Sequence, residues 1–270
     1  MLPAALRLIH PAPAFAVVLL SAALGAILLN QSGHPPDGRL LLTVLSVAGS
    51  QVATGAFNDW ADRARDAAVR PEKPLAAGEL RPGAALGVGL AGIGLQLVSS
   101  APLGPLPLLL GAAATASALA YDLWLSRTPA SVVPYLVSFG LLPLWIASGV
   151  GVPLERVAAA SLLVAPFAAA AHLANTLRDF ETDAAAASHS LAQLLGRRAA
   201  HLLALGMAAG VGLVVALSLG VGGQLRPASL ALGVIGLVAV GQGASAANRL
   251  WYGMLIAAVC WTAAWALATG

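Results

Sequence analysis

The sequence predicts an all-α fold, a polytopic membrane helical bundle of about nine transmembrane helices. Of its 270 residues, 59% are hydrophobic and 9% are charged, whereas soluble domains carry roughly 25% charged residues. So few charges cannot solvate a surface that faces water, and the mean hydropathy of +0.85 agrees with a surface that faces lipid. Since a membrane helix needs about 20 apolar residues, nine of them would use most of the chain, and we expect residues 1–270 to form a single integral-membrane domain.

Nine apolar runs, each bounded by charged residues, proline or glycine, are the predicted spans. They cover residues 12–29, 40–57, 83–99, 106–123, 131–150, 157–177, 199–219, 228–246 and 250–268. The third run is short and rich in glycine, which lets helix backbones approach closely in lipid. The first run could be taken for a signal peptide, but its only preceding charge is Arg7 and no convincing cleavage site follows it. We therefore expect this span to be retained.

The basic residues predict the orientation of the bundle. With the N-terminus in the cytoplasm and alternating spans, 11 of the 14 basic residues fall on the cytoplasmic side, and only Arg39, Arg156 and Arg226 fall outside. This bias follows the positive-inside rule and explains the net charge of +3 without a nucleic-acid partner. We expect a bacterial plasma-membrane protein. The single cysteine, Cys260, excludes an intrachain disulfide and a cysteine metal site.

The acidic residues show a bias that orientation does not require. Nine of the 11 fall on the same predicted cytoplasmic side, and only Asp37 and Glu155 fall outside. Acidic residues contribute little to membrane orientation. Their concentration on one face therefore indicates a function.

Two acidic motifs with identical spacing stand at the predicted cytoplasmic ends of spans two and six. Asn58, Asp62 and Asp66 in the first motif correspond to Asn175, Asp179 and Asp183 in the second, at a constant offset of 117 residues. A spacing of four places side chains on one face of a helix, one turn apart. Carboxylates stacked in this way repel one another unless a cation neutralises them.

Mg²⁺ is the cation that these motifs favour. It prefers oxygen ligands and is usually held by a few carboxylates together with substrate phosphate. The metal would also neutralise the charge that develops on a diphosphate leaving group. The alternative interpretation is a pair of solvated acidic helix ends, which the repeat in a chain with so few acids disfavours.

A proline-rich basic segment follows the first motif. Residues 70–78 read Arg-Pro-Glu-Lys-Pro-Leu-Ala-Ala-Gly. Arg70 and Lys73 can grip phosphate, the arginine in a bidentate manner and the lysine as a point charge, and the prolines stiffen the segment. Arg178 and Arg127 are further candidates, although membrane orientation explains Arg127 equally well.

These motifs resemble the signatures of the UbiA superfamily of intramembrane prenyltransferases. The pattern Asn58-Asp59-x-x-Asp62-x-x-x-Asp66 with its following basic segment is similar to the first aspartate motif of that superfamily. The pattern from Asn175 to Asp183 is similar to the second motif, and the segment from Tyr121 to Arg127 resembles a Tyr-x-x-x-Leu-Lys-Arg segment. The resemblance departs at Ser126, and at Ala187 and Ser188, where the superfamily often has lysine, glycine and a basic residue.

The resemblance implies Mg²⁺-dependent transfer of a prenyl group from a prenyl diphosphate to an aromatic or lipid acceptor within the membrane. It also implies nine helices, with a lateral opening to lipid for the prenyl tail. The acceptor, the prenyl chain length and the oligomeric state stay open.

The candidate site residues fall into four expected roles. The catalytic candidates are Asp59, Asp62, Asp66, Asp179 and Asp183. The metal candidates are Asn58, Asp62, Asp66, Asn175, Asp179 and Asp183. The diphosphate candidates are Arg70, Lys73, Arg127 and Arg178, and the acceptor candidates are His172 and Tyr121. For His172, helix packing is the favoured role and contact with the acceptor is the alternative.

Three other functions compete with prenyl transfer. A CDP-alcohol phosphotransferase needs an Asp-Gly within a helix, but the only Asp-Gly here is Asp37-Gly38, in a predicted outside loop. A non-enzymatic ion-binding or transport protein tends to carry its acids at mid-membrane rather than at helix ends. A membrane terpene cyclase of the same superfamily stays open.

Overall fold

The computed structural model describes residues 3–185, 188–221 and 226–269, and the regular elements in these ranges are helical. The α-helices are α1 (Ala4–Leu8), α2 (Pro11–Gln31), α3 (Gly38–Val69), α4 (Pro82–Ser100), α5 (Pro105–Ala120), α6 (Val133–Val150), α7 (Glu155–Thr176), α8 (Phe180–Ala185), α9 (Leu191–Leu195), α10 (Arg197–Val221), α11 (Pro227–Gly241) and α12 (Ala247–Thr269). Nine helical segments of the described chain are long and apolar enough to cross a membrane. This confirms the predicted fold class, and the chain is an integral membrane protein.

Local sequence accounts for where several of these helices begin. Proline is the first residue of α2, α4, α5 and α11, a position that lacks an intrahelical partner for the N–H and suits the fixed φ of proline. At the start of α3, the Asp37 carboxylate accepts hydrogen bonds from the backbone N–H groups of Arg39 (3.0 Å) and Leu40 (3.2 Å). Such capping satisfies donors that the first helical turn leaves free.

The chain divides into two compact units. The first unit comprises Met1–Ser126 and Val137–Ser161. Within it α3 and α4 approach so closely that a Cβ on Gly49 would lie 2.5 Å from the Gln96 backbone nitrogen, and one on Gly92 would lie 2.6 Å from that of Ala53. Small residues allow this contact between helix backbones, which is a main source of helix association in lipid.

Buried hydroxyl pairs connect α3 to its neighbours in the first unit. Ser50 and Thr115 are 2.7 Å apart between their hydroxyl oxygens, and Ser46 and Ser100 are 2.5 Å apart. At the start of α3, the Arg39 guanidinium donates to the carbonyl of Gly149 at 3.0 Å. These bonds position α3, which carries the first acidic motif.

The second unit comprises Arg127–Leu136 and Leu162–Gly270. Its core contains small residues with a few large ones among them, including Leu250, Met254 and Trp261. The Trp261 indole donates to the Gly233 carbonyl at 3.2 Å and packs against Phe167 with ring centroids 5.3 Å apart. A buried indole normally requires such a partner for its N–H.

Two features differ from the sequence prediction. Helix α3 continues to Val69, twelve residues beyond the predicted end of span two, and so carries the whole first motif. Helix α7 ends at Thr176, and residues 177–179 form a turn before α8 begins at Phe180. The expectation that Asn175, Asp179 and Asp183 lie on one face of a continuous helix is therefore wrong.

Candidate active site

The last turns of α3 bury two carboxylates of the first motif around one ammonium group. Asp59 and Asp66 are 2% and 3% exposed, and their separation of seven residues places them on the same side of α3. The Lys73 ammonium donates to Asp59 Oδ1 at 2.7 Å and to Asp66 Oδ2 at 2.8 Å. The segment after α3 therefore returns to the helix and supplies a counter-ion to its carboxylates.

Lys73 is therefore a cation that neutralises part of the first motif, a role that the sequence assigned to Mg²⁺. Burial by itself lowers the pKa of Lys73, but the hydrogen bonds and charges of Asp59 and Asp66 outweigh it and raise the pKa above its ordinary value. Lys73 therefore stays protonated at neutral pH. Removing one member of a buried ion pair leaves an uncompensated charge, which is strongly destabilising.

Two further groups contact the first motif, and the sequence analysis assigned neither of them to the site. The Nε2 of His10 lies 3.0 Å from Asp59 Oδ1. The Asn58 amide donates from Nδ2 to Asp122 Oδ1 at 3.1 Å. Asp122 could have been identified from the sequence, because it is an acid inside a predicted apolar span. His10 lies 49 residues before Asp59, and no sequence pattern connects the two.

The other candidates of this region occupy helix ends. Arg70 follows the last residue of α3, and its N–H donates to the Asp66 carbonyl at 2.7 Å. Asp62 is half-buried on α3 between the two paired carboxylates. Tyr121 begins a single π-helical turn, Tyr121–Leu125, which continues α5; such turns often occur at functional sites.

The second motif belongs to the second unit and is organised by a turn. The Thr176 hydroxyl donates to the His172 carbonyl at 2.8 Å, and the Arg178 N–H donates to the Asn175 carbonyl at 3.0 Å. Asp179 directly precedes α8, a position where aspartate is favoured. The Asp183 N–H then donates to the Asp179 carbonyl at 2.8 Å.

Arg178 stands on the exposed side of this turn. Its guanidinium donates to the Asn175 side-chain oxygen at 3.4 Å, and its central carbon lies 5.9 Å from the ring centres of Trp251 and Tyr252. Contact with aromatic faces restrains an arginine without removing its capacity to bind phosphate. Arg127, in the same unit, accepts a hydrogen bond from the His189 N–H at its carbonyl (3.0 Å). Ser188 is buried, and Ala187 lies outside the described residues.

His172 is a packed residue. It is 3% exposed, its ring stacks on Tyr135 with centroids 4.3 Å apart, and its Nε2 lies 3.2 Å from the Ser131 hydroxyl. These contacts support the packing role that the sequence favoured. A role toward the acceptor stays a prediction.

The first motif offers oxygen atoms that suit Mg²⁺. Across the described ranges, no three His, Cys, Asp or Glu side chains are grouped so as to hold a metal ion by themselves. Asp59 Oδ2 and Asp122 Oδ2 are buried and have no hydrogen-bond partner within the described part of the chain. Mg²⁺ is commonly bound by one or two carboxylates plus substrate phosphate and water, so the residues present fit an ion that arrives with a diphosphate.

Comparison with known proteins agrees with the resemblance seen in the sequence. The UbiA prenyltransferase family matches residues 18–249. The chain is 32% identical over 162 residues to the 4-hydroxybenzoate octaprenyltransferase of Ralstonia nicotianae, covering 57% of this chain and 50% of that protein. It is 30% identical over 148 residues to the protoheme IX farnesyltransferase of Dinoroseobacter shibae, covering 52% and 46%. The matched region thus spans about half the length of these curated relatives.

A solved structure shows the same fold. A UbiA homologue from Archaeoglobus fulgidus, bound to GPP and Mg²⁺, matches with a TM-score of 0.71 and 17% identity over 98% of this chain and 99% of that one. At this identity the likeness concerns the fold alone.

Proposed function

Because this chain belongs to the UbiA prenyltransferase family, we propose that it transfers a prenyl group from a prenyl diphosphate to an acceptor within the membrane. The observation that carries this proposal is the buried cluster of Asp59, Lys73 and Asp66 at the end of a membrane-spanning helix. Buried carboxylates with an oxygen left open are costly in a structural role. The open oxygen of Asp59 is useful where the metal ion of a metal–diphosphate complex must bind.

The proposed reaction breaks the bond between prenyl C1 and the diphosphate oxygen, and the electron pair leaves with the diphosphate. A nucleophilic atom of the acceptor bonds to C1 and loses a proton. Bound Mg²⁺ would neutralise the negative charge that grows on the leaving group. In the first motif the proposed metal ligands are Asn58, Asp62 and Asp66, and in the second motif they are Asn175, Asp179 and Asp183.

The basic residues of the two motifs would act on the diphosphate itself. Arg70 and Lys73 are the candidates in the first unit, and Arg127 and Arg178 in the second. The Lys73 ammonium balances the charges of Asp59 and Asp66. We propose that its ammonium turns to a diphosphate oxygen when these carboxylates acquire another cation, so its help grows as the leaving group forms.

The acceptor would be chosen by the second motif and its neighbours. The matched relatives named above are a 4-hydroxybenzoate octaprenyltransferase and a protoheme IX farnesyltransferase, so an aromatic or ring-shaped acceptor fits the family as well as a lipid does. Arg178, which is restrained by Trp251 and Tyr252, would contact the acceptor in addition to the diphosphate. His172 would position its surroundings, and Tyr121 is the candidate in the first unit. We place both motifs on the cytoplasmic side of a bacterial plasma membrane.

The test is a transfer assay with purified protein in lipid nanodiscs and labelled prenyl diphosphates of several chain lengths. It is run with Mg²⁺ or excess EDTA, and with or without a membrane lipid extract. We expect labelled product only with Mg²⁺ and extract. Full turnover in excess chelator would contradict the proposal, and diphosphate release without an acceptor would indicate cyclisation or hydrolysis instead.

A further inference from the structure

The carboxylate of Asp59 is held asymmetrically. Its Oδ1 accepts from the Lys73 ammonium at 2.7 Å and faces His10 Nε2 at 3.0 Å. Its Oδ2 is also buried but has no hydrogen-bond partner among the described residues. An ionised carboxylate can only accept hydrogen bonds, so the His10 Nε2–H is a donor here. Two donors on one oxygen leave the other oxygen available to a ligand.

His10 is held in place by an unusual backbone conformation. It lies between α1 and α2 with φ +50°, and it is the one residue other than glycine in the described ranges with a positive φ. A left-handed conformation at such a residue persists only where the surrounding structure imposes it. The strain points to a selected position for the imidazole.

The contacts of α1 supply that surrounding structure. Leu8 is fully buried against Ala56 and Trp60 of α3. A Cβ on Gly55 would lie 2.8 Å from Ile9 Cα, so the glycine admits the chain directly before His10. Arg7 donates to the Glu72 carbonyl at 3.3 Å and pairs with the Glu79 carboxylate. The N-terminal segment is thus packed onto both α3 and the basic segment that carries Lys73.

We propose that His10 is a positioning residue of the donor site, which orients Asp59 so that Oδ2 is presented to the cation of the metal–diphosphate complex. This inference rests on the proposed function. A group that fixes a carboxylate near a metal acts on metal affinity through that carboxylate, typically by about 10–100-fold. The N-terminal segment then forms part of the site, although it lies outside both acidic motifs.

The experiment measures Mn²⁺ binding by electron paramagnetic resonance in the presence of inorganic diphosphate, with thermal unfolding recorded on the same samples. His10→Leu fills the space but removes the donor, whereas His10→Gln keeps a nitrogen donor. We expect His10→Leu to weaken Mn²⁺ binding by about 10–100-fold and His10→Gln to retain most of it. His34→Ala is the matched control, because His34 is exposed and lies between α2 and α3, outside the candidate site.

A double-variant comparison separates positioning from a general structural effect. If His10 acts through Asp59, His10→Leu should change the affinity of the Asp59→Asn protein by less than about twofold. The Asp59→Asn background also removes the buried charge that loses a partner in His10→Leu. The comparison can therefore still be made if the His10→Leu single variant does not fold. Additive losses, or a His10→Leu protein that binds Mn²⁺ as tightly as the unmodified chain, would overturn the inference. Absence of Mn²⁺ binding in the unmodified chain would instead overturn the proposed function.

Discussion

Two buried carboxylates share one ammonium group in the first motif. Lys73 has 15% of its side chain exposed, and its partners Asp59 and Asp66 have 2% and 4%. In such surroundings charges interact much more strongly than in water. The loss of any one member should therefore affect stability as well as chemistry.

The first prediction concerns Lys73→Met, which leaves two carboxylates without their ammonium partner. We expect a loss of about 3–5 kcal/mol in unfolding free energy at neutral pH, the scale for breaking a buried ion pair. Transfer should also slow to the same degree with every acceptor, since Lys73 serves the donor. The measurements are thermal unfolding in nanodiscs and product formation with two competing acceptors. A changed product ratio would place Lys73 at the acceptor instead.

The stability difference between Lys73→Met and the unmodified chain should depend on pH. Because the folded-state pKa of Lys73 is raised above its ordinary value of 10.5, its contribution to stability is complete below the unfolded-state pKa. It is lost as the pH rises through the folded-state pKa. The difference in unfolding temperature between the unmodified chain and Lys73→Met should be constant from about pH 7 to 9 and shrink above about pH 10.5. A difference that already shrinks below pH 9 would contradict the ion pair.

Asp62 and Asp179 test the metal assignments with less risk to the fold, since both are half-buried, whereas Asp59 and Asp66 are buried. We expect Asp62→Ala and Asp179→Ala each to lower turnover by about 10²-fold or more, the scale for losing a key electrostatic group. The unfolding temperature should change little. Glu155→Ala, at the opposite end of α7 from the second motif, is the control. Near-normal activity in either aspartate variant would remove that motif from the site.

At the scale of the element, α3 positions the first motif and α4 positions α3. The two helices touch through Gly49 and Gly92, where no side chain fits between the backbones. The second motif depends on a different device, the turn after Thr176 that separates α7 from α8. One motif is thus built on a long helix and the other on a helix break.

The α3–α4 contact predicts opposite outcomes for two substitutions in α4. A Cβ at Gly92 would lie 2.6 Å from the Ala53 nitrogen, whereas a Cβ at Gly94 meets nothing within 4 Å. Gly92→Ala should destabilise the protein by about 1–3 kcal/mol through overpacking and lower Mn²⁺ affinity by displacing α3. Gly94→Ala should be neutral or slightly stabilising, by up to about 1 kcal/mol. Equal unfolding temperatures for the two variants would show that the helices are not in such close contact.

At the scale of the whole molecule, lipid is the main solvent of the surface. Large apolar side chains such as Phe15, Val98 and Leu162 are 68–77% exposed, which a water-facing surface would not favour. The buried residues of the interior are mostly small, with a few aromatic side chains among them. The thickness of the membrane therefore sets where the spans end, and the candidate site residues lie near those ends.

The predicted topology can be tested independently of the chemistry by cysteine labelling in a Cys260→Ser background. Ser32 precedes α3 and Ala68 lies in its last turn, so Ser32→Cys and Ala68→Cys should label from opposite sides of the membrane. Ala187→Cys should label from the same side as Ala68→Cys, because four spanning helices, α4 to α7, lie between them. Labelling of Ala68→Cys and Ala187→Cys from opposite sides would mean an odd number of crossings and would contradict the predicted topology.

The fold class and the number of spans follow from the sequence alone, because the membrane restricts the structures that can cross it. Apolar length decides that the chain spans the bilayer, and nine spans were predicted where nine are found in the described chain. The first motif was predicted on a helix end and lies there. Family membership was also recognisable from the two acidic motifs and the basic segment after the first, since residue types and their separation are properties of the sequence.

Only the tertiary structure decided which carboxylate oxygen atoms of the candidate site accept hydrogen bonds. No local pattern connects His10 or Lys73 to Asp59, because that contact depends on how α1 and the segment after α3 fold back onto the helix. A spacing of four could not reveal the end of α7 at Thr176, where the Thr176 hydroxyl donates to the His172 carbonyl and a turn through Asp179 precedes α8. Periodicity predicts which residues share a face of a helix. Which of those residues are buried or paired with a charge depends on residues distant in the chain.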